Sequence, residues 1–322
     1  MATGFSSQYI DANKRVDWAI IRSLFTHSKD DTYIIAGWIQ PTYFVLQILL
    51  ALMGRKIIIW TDTPHVHRAR NPLKAFLRSS YLKFLFPRLQ YLFLTGKVGV
   101  QAGQEMGMAP SKTVNFPWAT DTRFFHPDEQ LKRRSDKVLF IASGRIDFGH
   151  KGQDTMVKAL HQVKQEGFNN FECHLAGEGA DRPELERLIA EYGLEEEVKL
   201  LGWLEPQEIK QFYQSADVLL HPSHFDPFPN AVLEAMACGL PVIGSLAAGS
   251  VSDRVVDGEN GFTHEAGDAE GLANQLRKVL AEPELLTQLS VNSRATAERW
   301  EVSYHLDILE QVMNNQAVHA FA

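Results

Sequence analysis

The chain has 322 residues, of which 45% are hydrophobic and 22% charged, and this composition is typical of an ordinary globular protein with room for two domains. Its two cysteines, Cys173 and Cys238, argue against a disulfide scaffold and fit a reducing cytosol. The net charge of −7 is unevenly distributed along the chain. Residues 1–120 hold 14 basic and 6 acidic residues, whereas residues 121–322 hold 18 basic and 33 acidic residues. This asymmetry indicates that the two halves face different partners.

The first half begins with alternating helices and strands. Asp11–Thr26 carries apolar residues at helical spacing, and Thr32–Ala36 and Arg55–Thr61 are short apolar runs that predict strands. Tyr43–Met53 is an apolar helix of 11 residues, too short to cross a bilayer, which needs about 20 residues. We therefore expect this helix to cover a sheet.

A basic stretch, Thr63–Gln104, contains seven Lys and Arg residues and no acid. Its apolar side chains predict an amphipathic helix, which is typical of a membrane-surface element. The alternative is a solvated helix whose apolar face packs on the core. Near its end we predict a strand at Val98–Gln101 and a short helix at Gly103–Gly107. The basic residues are Arg68, Arg70, Lys74, Arg78, Lys83, Arg88 and Lys97, and the apolar face is Leu73, Phe76, Leu77, Phe84 and Leu85.

The second half alternates strands and helices more regularly. This alternation predicts two Rossmann-like α/β domains, and the polar segment Asp128–Asp136 is the predicted linker. The predicted strands are Val138–Ala142, Phe171–Ala176, Val198–Leu201, Asp217–Pro222 and a strand starting at Val242, and the predicted helices cover 153–167, 183–192, 206–215, 230–238, 272–280 and 300–313.

Two acids in Asp217–Ser245 point to a ligand. The segment reads as strand, loop, helix and strand, and the start of its helix is a ready site for a diphosphate. Asp226 precedes this helix and Glu234 lies within it, so the two acids would reach groups on either side of the phosphates. A nucleotide sugar carries hydroxyls in both places. Either acid alone is better explained as a helix-start acid or a surface charge.

The same segment resembles the signature of the retaining nucleotide-sugar glycosyltransferases of family 4, which have the GT-B fold. That signature is an acid, seven residues, then Glu followed by A-M-A-x-G-x-P-V-I. It matches Asp226 and Glu234–Ile243, although Glu is commoner than Asp at the first position. The resemblance covers most of residues 138–300. It departs at Ala248–Asp253, where the family usually has G-G-x-x-E.

The resemblance implies an α/β fold of the GT-B class, with two Rossmann-like domains facing across a cleft and a shortened N-terminal domain. We place the N-terminal, acceptor-side domain at residues 1–127 and the C-terminal, nucleotide-sugar-binding domain at residues 128–299. Residues 300–322 would form a helix that crosses back to the first domain.

The resemblance also implies the site residues. Asp226 would touch the sugar hydroxyls, Arg145 and Lys151 would stabilise the diphosphate leaving group, and Glu234 would bind ribose. His65 is the candidate near the transferred sugar, with Asp62 nearly as plausible, and a loop histidine without a functional role explains His65 equally well. Further donor contacts are expected from Gly4, Gly177, Gly179, Leu204, Phe228, Pro229 and Asn230.

No D-x-D motif is present, so a metal site is not expected, and the nucleotide sugar, UDP- or GDP-linked, is the expected substrate with no separate cofactor. The acceptor would be a lipid-linked, polysaccharide or glycolipid hydroxyl. Residues 1–7 do not resemble a signal peptide. The expected location is the cytoplasm, peripheral on the inner face of the plasma membrane, where Thr63–Gln104 would meet anionic lipid; nucleic acid is not an expected partner. The alternative function is a non-catalytic, degenerate transferase subunit acting as a binding or scaffold protein.

Overall fold

The computed structural model describes residues 16–38, 40–64, 71–132 and 135–314. The chain divides into two compact units, Met1–Pro117 with Gln311–Ala322 and Trp118–Glu310. The sequence-based boundaries were placed after residues 127 and 299. The passage before Asp128 packs with the second unit, because Arg294 donates to the carbonyl oxygen of Phe125 at 3.0 Å and Gln214 to that of His126 at 2.8 Å.

In the described part of the first unit, four parallel strands form one sheet in the order β1-β2-β3-β4. The middle strands are apolar and buried, as expected for a parallel sheet covered on both faces. The strands are β1 (Thr32–Ala36), β2 (Lys56–Thr61), β3 (Tyr91–Leu94) and β4 (Thr113–Asn115), and the helices are α1 (Trp18–Ser23), α2 (Pro41–Leu52), α3 (Pro72–Leu85) and α4 (Gly96–Glu105). Within the described ranges, none of the helices is long and apolar enough to span a bilayer.

The predicted strand at Val98–Gln101 is wrong, since these residues lie inside α4, which also replaces the short helix predicted at Gly103–Gly107. The strand of this region is β3, which the sequence reading had merged into the basic stretch. The glycines within α4 allow the helix to pack closely against its neighbours and do not interrupt it. A Cβ atom at Gly103 would lie 2.4 Å from the Cδ1 atom of Leu94 in β3.

The predicted helix is present as α3, but its apolar side chains are buried only toward its C-terminal end. Leu85 is fully buried and Phe84 is half-buried, so these two residues pack on the first unit's core. Leu73, Phe76 and Leu77, near the start of α3, are 66%, 68% and 58% exposed. The apolar residues at the end of α3 therefore belong to the core, and those at its start form a solvent-exposed patch.

The second unit contains a sheet of six parallel strands in the order β10-β9-β8-β5-β6-β7. All five strands predicted for this half are present. A sixth strand, β10, and two short helices, α5 and α10, had not been predicted. The strands are β5 (Val138–Ser143), β6 (Phe171–Ala176), β7 (Val198–Gly202), β8 (Val218–His221), β9 (Val242–Ser245) and β10 (Gly261–His264), and the helices are α5 (Phe148–Lys151), α6 (Gln153–Gln165), α7 (Arg182–Glu191), α8 (Pro206–Gln214), α9 (Asn230–Ala237), α10 (Gly249–Arg254), α11 (Ala269–Ala281) and α12 (Leu285–Arg299). A last helix, α13 (Val302–Met313), begins in the second unit, and its residues 311–313 belong to the first.

Strand β5 lies at the centre of this sheet and contributes to both of its cores. Phe140 belongs to the core under α6, α7 and α11, whereas Leu139 and Ile141 belong to the core under α8, α9 and α12. This alternation follows from the two-residue period of a strand.

The order of the strands creates a switch point between β5 and β8. The chain runs outward from β5 through β6 and β7, and then returns to build β8, β9 and β10 on the other side. The loops after β5 and β8 therefore leave the sheet in opposite directions. Open α/β sheets bind ligands in the crevice that such a switch point opens at the carboxyl ends of the strands.

Candidate functional site

A small pocket lies at the switch point, at the carboxyl ends of β5 and β8. It is lined by several polar groups, among them the side chain of Lys151, one of the residues selected from the sequence. The lining residues are Ala142, Ser143, Gly144, Lys151, Gln153, Leu175, Leu220, His221, Pro222 and Ser223.

Lys151 and Asp226, which lie 75 positions apart in the sequence, meet beside this pocket. The Nζ atom of Lys151 donates a hydrogen bond to Oδ2 of Asp226. The Nε2 atom of His221 lies 3.4 Å from the same oxygen, and the hydroxyl of Ser223 lies 3.0 Å from that nitrogen. Asp226, His221 and Ser223 are all buried. The structure thus joins two predicted residues to two that the sequence reading missed.

Burial works to raise the pKa of Asp226, but the hydrogen bonds and charges of His221 and Lys151 outweigh it. The pKa of Asp226 is therefore lowered from its ordinary value. At neutral pH this side chain is a carboxylate. It balances the charge of Lys151 within the pocket wall.

The backbone geometry explains why a glycine, Gly152, follows Lys151 in the sequence. Helix α5 ends at Gly152, whose φ of 65° lies in the left-handed region that favours glycine. A Cβ atom at this position would lie 2.3 Å from the carbonyl oxygen of Pro222. The backbone N–H groups of His224 and Phe225 donate to the carbonyl of His150 at 2.8 and 3.1 Å. Gly152 thus permits the close approach of the two loops that brings Lys151 to Asp226.

Arg145 occupies a different environment from Lys151. Its guanidinium is exposed and pairs with Asp147, with 2.6 Å between Nη2 and Oδ2. Its backbone is held by Gln153, whose side chain donates to the carbonyl of Arg145 at 2.9 Å and accepts from the N–H of Asp147 at 3.3 Å. Arg145 and Lys151 therefore present two cations from one loop, each paired with its own acid.

Glu234 lies on α9 and has partners distinct from those of Asp226. The Tyr213 hydroxyl donates to its Oε2 atom at 3.4 Å and lies 2.9 Å from the hydroxyl of Ser143. Burial raises the pKa of Glu234, and the hydrogen bond from Tyr213 offsets part of this effect. Sequence reasoning missed Tyr213 and Ser143, since neither belongs to a motif that the sequence reading used.

Gly177 and Gly179 bring the loop after β6 against the loop after β5. A Cβ atom at Gly177 would lie 1.9 Å from the carbonyl oxygen of Gly144, and one at Gly179 would lie 2.0 Å from that of Ile146. The N–H of Ile146 donates to the carbonyl of Glu178 at 3.0 Å. These glycines have a packing role that accounts for their presence. Their predicted contact with the donor stays a prediction.

Three of the remaining predicted contacts, Phe228, Pro229 and Asn230, lie at the start of α9. Phe228 is buried, with its ring 4.6 Å from the guanidinium carbon of Arg254, whereas Asn230 is exposed. The carbonyl of Pro229 accepts a hydrogen bond of 2.8 Å from the hydroxyl of Ser250. Leu204 is half-buried against the core. Gly4 and His65 lie outside the described residues.

The segment where the sequence departs from the family signature packs on the loop that carries Asp226. The N–H of Asp226 donates to the carbonyl of Ala247 at 3.3 Å, and the N–H of Gly249 donates to the carbonyl of Asp226 at 3.0 Å. A Cβ atom at Gly249 would lie 2.1 Å from the carbonyl oxygen of Pro227, so this glycine permits the contact. The segment Ala247–Gly249 thereby fixes the backbone of Asp226.

Arg254 is a buried cation that the sequence reading also missed. It is 2% exposed and packs its guanidinium against the rings of Phe228 and Trp300. Its Nε atom has no hydrogen-bond partner among the described residues, and burial lowers its pKa to about 9. The carbonyl of Trp118, the two aromatic faces and the charge of Asp253 support this buried cation, which remains charged at neutral pH.

The model of the family described as "Glycosyl transferases group 1" matches residues 126–296. The chain belongs to this family. The match contains the residues Arg145, Lys151, Asp226 and Glu234 described above.

Individual relatives agree with this membership. The chain is 30% identical over 209 residues to a D-inositol 3-phosphate glycosyltransferase of Geodermatophilus obscurus, with 61% of this chain and 46% of that protein covered. It is 28% identical over 167 residues to the lipopolysaccharide core biosynthesis glycosyltransferase LpsE of Rhizobium meliloti, with 52% of this chain and 46% of that protein covered. The chain thus spans about half the length of these curated relatives.

Among solved structures, Anabaena HepE in complex with UDP resembles most of the chain, with a TM-score of 0.76 at 20% identity over 92% of this chain and 81% of HepE. HepE has also been solved with UDP-glucose, and that structure matches with a TM-score of 0.68 at 20% identity over 87% of this chain and 78% of HepE. The predicted α/β fold of the GT-B class, with two Rossmann-like units, is confirmed.

Proposed function

We propose that this member of the glycosyl transferases group 1 family transfers a sugar from a nucleotide-diphosphate sugar to an acceptor hydroxyl. The observation that carries the proposal is the cluster of Lys151, Asp226 and His221 at the switch point of the second sheet. Family membership supports the reaction class, and a UDP-sugar or GDP-sugar is the donor we expect. The complexes of HepE with UDP and UDP-glucose favour UDP as the first nucleotide to test.

The cations of the β5–α6 loop would hold the diphosphate. Lys151 is paired with Asp226 and Arg145 with Asp147, so an arriving diphosphate would compete with these carboxylates for both cations. As the bond to the sugar breaks, negative charge grows on the leaving nucleotide. Fixed cations at that place stabilise the transition state.

The two acids of the signature would recognise the donor on either side of the phosphates. Once Lys151 turns to the diphosphate, Asp226 would be free to accept hydrogen bonds from the sugar hydroxyls. Glu234, on the Tyr213 side of α9, would bind the ribose. Gly177, Gly179, Leu204, Phe228, Pro229 and Asn230 would border the nucleotide.

For the stereochemical course and the metal requirement, the proposal relies on the family resemblance and on the absence of a D-x-D motif. We propose retention, with the acceptor hydroxyl approaching on the face from which the phosphate departs. We also propose that Arg145 and Lys151 replace the charge that a divalent metal ion supplies in other transferases. The remaining site residue taken from the resemblance, His65, is proposed to lie near the transferred sugar.

We further propose that α3 brings the protein to an anionic membrane, where a lipid-linked or glycolipid acceptor would be reached from the cytoplasmic side. Leu73, Phe76 and Leu77 are exposed on the first turns of α3, and the exposed Lys74 and Lys83 lie on the same helix. Apolar and basic side chains together suit the interface of an anionic bilayer.

A screen of UDP- and GDP-sugars with the purified protein tests the proposed function. A donor at 100 times its dissociation constant should raise the free energy of unfolding by about 2.7 kcal/mol. Release of the nucleoside diphosphate in the presence of acceptor extracts should follow for the same donor. Stabilisation without turnover for every donor and acceptor would favour the alternative, a non-catalytic binding subunit.

A further inference from the structure

His221 is a buried imidazole whose Nε2 atom faces the carboxylate of Asp226. The two groups are 3.4 Å apart, and the Ser223 hydroxyl lies 3.0 Å from the same nitrogen. His221 is 4% exposed and Ser223 is 1% exposed, so solvent does not compete strongly for these contacts. A carboxylate beside Nε2 favours the tautomer that carries its proton there. This N–H then faces Oδ2 of Asp226 at 3.4 Å, and the hydroxyl oxygen of Ser223, 3.0 Å away, accepts from it.

The backbone of His221 belongs to a strand, whereas that of Asp226 belongs to a loop. His221 is the last residue of β8, which lies between β5 and β9, and it pairs in register with Gly244 of β9. Asp226 lies on a loop, joined to Ala247 and Gly249 by two backbone hydrogen bonds. A side chain on a central strand of a parallel sheet is a suitable anchor for a carboxylate on a loop.

We propose that His221 is a positioning residue that holds the carboxylate of Asp226 in its reactive orientation, an inference that rests on the proposed sugar transfer. Lys151 is the other partner of Oδ2, and the proposed function requires Lys151 to turn toward the diphosphate. His221 then keeps Oδ2 in place while Asp226 receives the sugar hydroxyls. Without it, a carboxylate buried beside the pocket would lose its orientation when the lysine turns away.

The test compares two substitutions of different reach. In His221→Gln the amide nitrogen takes the place of Nε2, whereas in His221→Asn it takes the place of Nδ1 and falls short of Asp226. We expect His221→Asn to lower kcat by about 10- to 100-fold, the scale of a misplaced catalytic group. His221→Gln should restore most of kcat. Equal kcat losses in the two variants would overturn the proposal.

A double-mutant cycle separates positioning from general loss of packing. If His221 acts through Asp226, then His221→Asn should cause no further loss of kcat in an Asp226→Asn background. Multiplying losses would show that His221 contributes by another route and would contradict the proposal.

A second readout does not depend on sugar transfer. The pKa of the Asp226 carboxyl, followed by carbon NMR in selectively labelled protein, should rise in His221→Asn and stay near the wild-type value in His221→Gln. An unchanged pKa in both variants would overturn the positioning role even in an active enzyme. If the shift occurs but no nucleotide sugar is turned over, the proposed function fails while the contact between His221 and Asp226 stands.

Discussion

The two cations of the β5–α6 loop differ in their surroundings, and this difference decides what each substitution should do. Lys151 is paired with a buried carboxylate, whereas Arg145 is exposed and paired with Asp147. Loss of Lys151 leaves the carboxylate of Asp226 without its cation. Loss of Arg145 leaves the carboxylate of Asp147 without this cation, and Asp147 is less buried than Asp226.

Arg145→Ala and Lys151→Ala should each weaken the stabilisation of the leaving diphosphate. By analogy with other groups that stabilise an oxyanion, we expect each to cost about 2–4 kcal/mol of transition-state stabilisation. The measurement is kcat/KM for the donor, with Lys158→Ala as a control, because that lysine lies on the exposed side of α6 and pairs with Asp154. Near-normal turnover in the Arg145→Ala/Lys151→Ala double variant would contradict the assignment.

Asp226 and Glu234 should influence stability with opposite dependences on pH. The pKa of Asp226 is lowered in the folded state, so the unfolded chain binds more protons and stability is lost as pH falls through the acid range. The pKa of Glu234 is raised, so the folded chain binds more protons and stability is lost as pH rises above the ordinary glutamate range.

Urea unfolding at a series of pH values measures both effects. Asp226→Asn should be less stable than the wild type at neutral pH, and the difference should shrink below about pH 4, where the unfolded aspartate is protonated. Glu234→Gln should be at least as stable as the wild type at neutral pH, with the difference vanishing in acid. Two differences of the same sign, both independent of pH, would show that burial and pairing have been assigned wrongly.

At the scale of elements, the site depends on how closely two loops approach. Gly152 combines a left-handed backbone, with a φ of 65°, with a contact to Pro222, whereas Gly167 has a φ of 97° with open space around it. Both should lose about 1–2 kcal/mol of stability on substitution by alanine because of the backbone conformation. Gly152→Ala should lose about 1–3 kcal/mol more because of the clash.

Chemical denaturation of Gly152→Ala and Gly167→Ala gives this comparison directly. We also expect Gly152→Ala to lower donor affinity, since Lys151 and Asp226 would separate, while Gly167→Ala keeps it. Equal losses of stability in the two variants would argue against the close approach of the loops.

Helix α3 supplies the second prediction at this scale. Arg78 is engaged with the Met106 sulfur at 2.6 Å, and Arg70 lies outside the described residues, so the exposed Lys74 and Lys83 are better probes of membrane binding. Reversing both to Glu should weaken binding to anionic vesicles by at least about 1 kcal/mol for each side chain. Replacing Leu73, Phe76 and Leu77 by Ser should also weaken binding.

Vesicle co-sedimentation at low and high salt measures this effect. Lys132→Glu and Val291→Ser are matched controls on exposed positions of the second unit, and they should bind like the wild type. Binding should decrease as the ionic strength increases. A wild-type protein that ignores anionic vesicles at low salt would end the membrane proposal and leave the sugar transfer proposal intact.

At the scale of the whole molecule, the sequence predicted the elements whose patterns are local. The apolar runs of β5 and β6 and the helix-forming residues of α9 are read correctly because their burial follows from a short stretch of chain. Val98–Gln101 was misread, since a short run with two valines suits a strand as well as a helix, and only packing against Leu94 decides between them. Helix α10 and strand β10 were missed because turn-forming residues surround them.

The residues of the site also fall into those that local sequence patterns predict and those that only the fold reveals. The motif register identified Lys151 and Asp226 separately, but their contact arises from the fold. His221 stands only five positions before Asp226, yet nothing in the sequence distinguishes a histidine that faces a carboxylate from one that packs in a strand. Tyr213 and Arg254 acquire their roles from residues distant in sequence, Ser143 and Trp300 among them.

The most direct test of the account is transfer by the purified protein under chelation. Nucleoside diphosphate release and anomeric proton signals would be followed together in excess EDTA, with a nucleotide sugar selected by the binding screen. The account predicts turnover that persists in EDTA, a product with the anomeric configuration of the donor, and a loss of at least about 30-fold in Lys151→Ala, equivalent to about 2 kcal/mol. Turnover that vanishes in EDTA and returns with Mg²⁺ or Mn²⁺, or that survives the loss of Lys151, would contradict it.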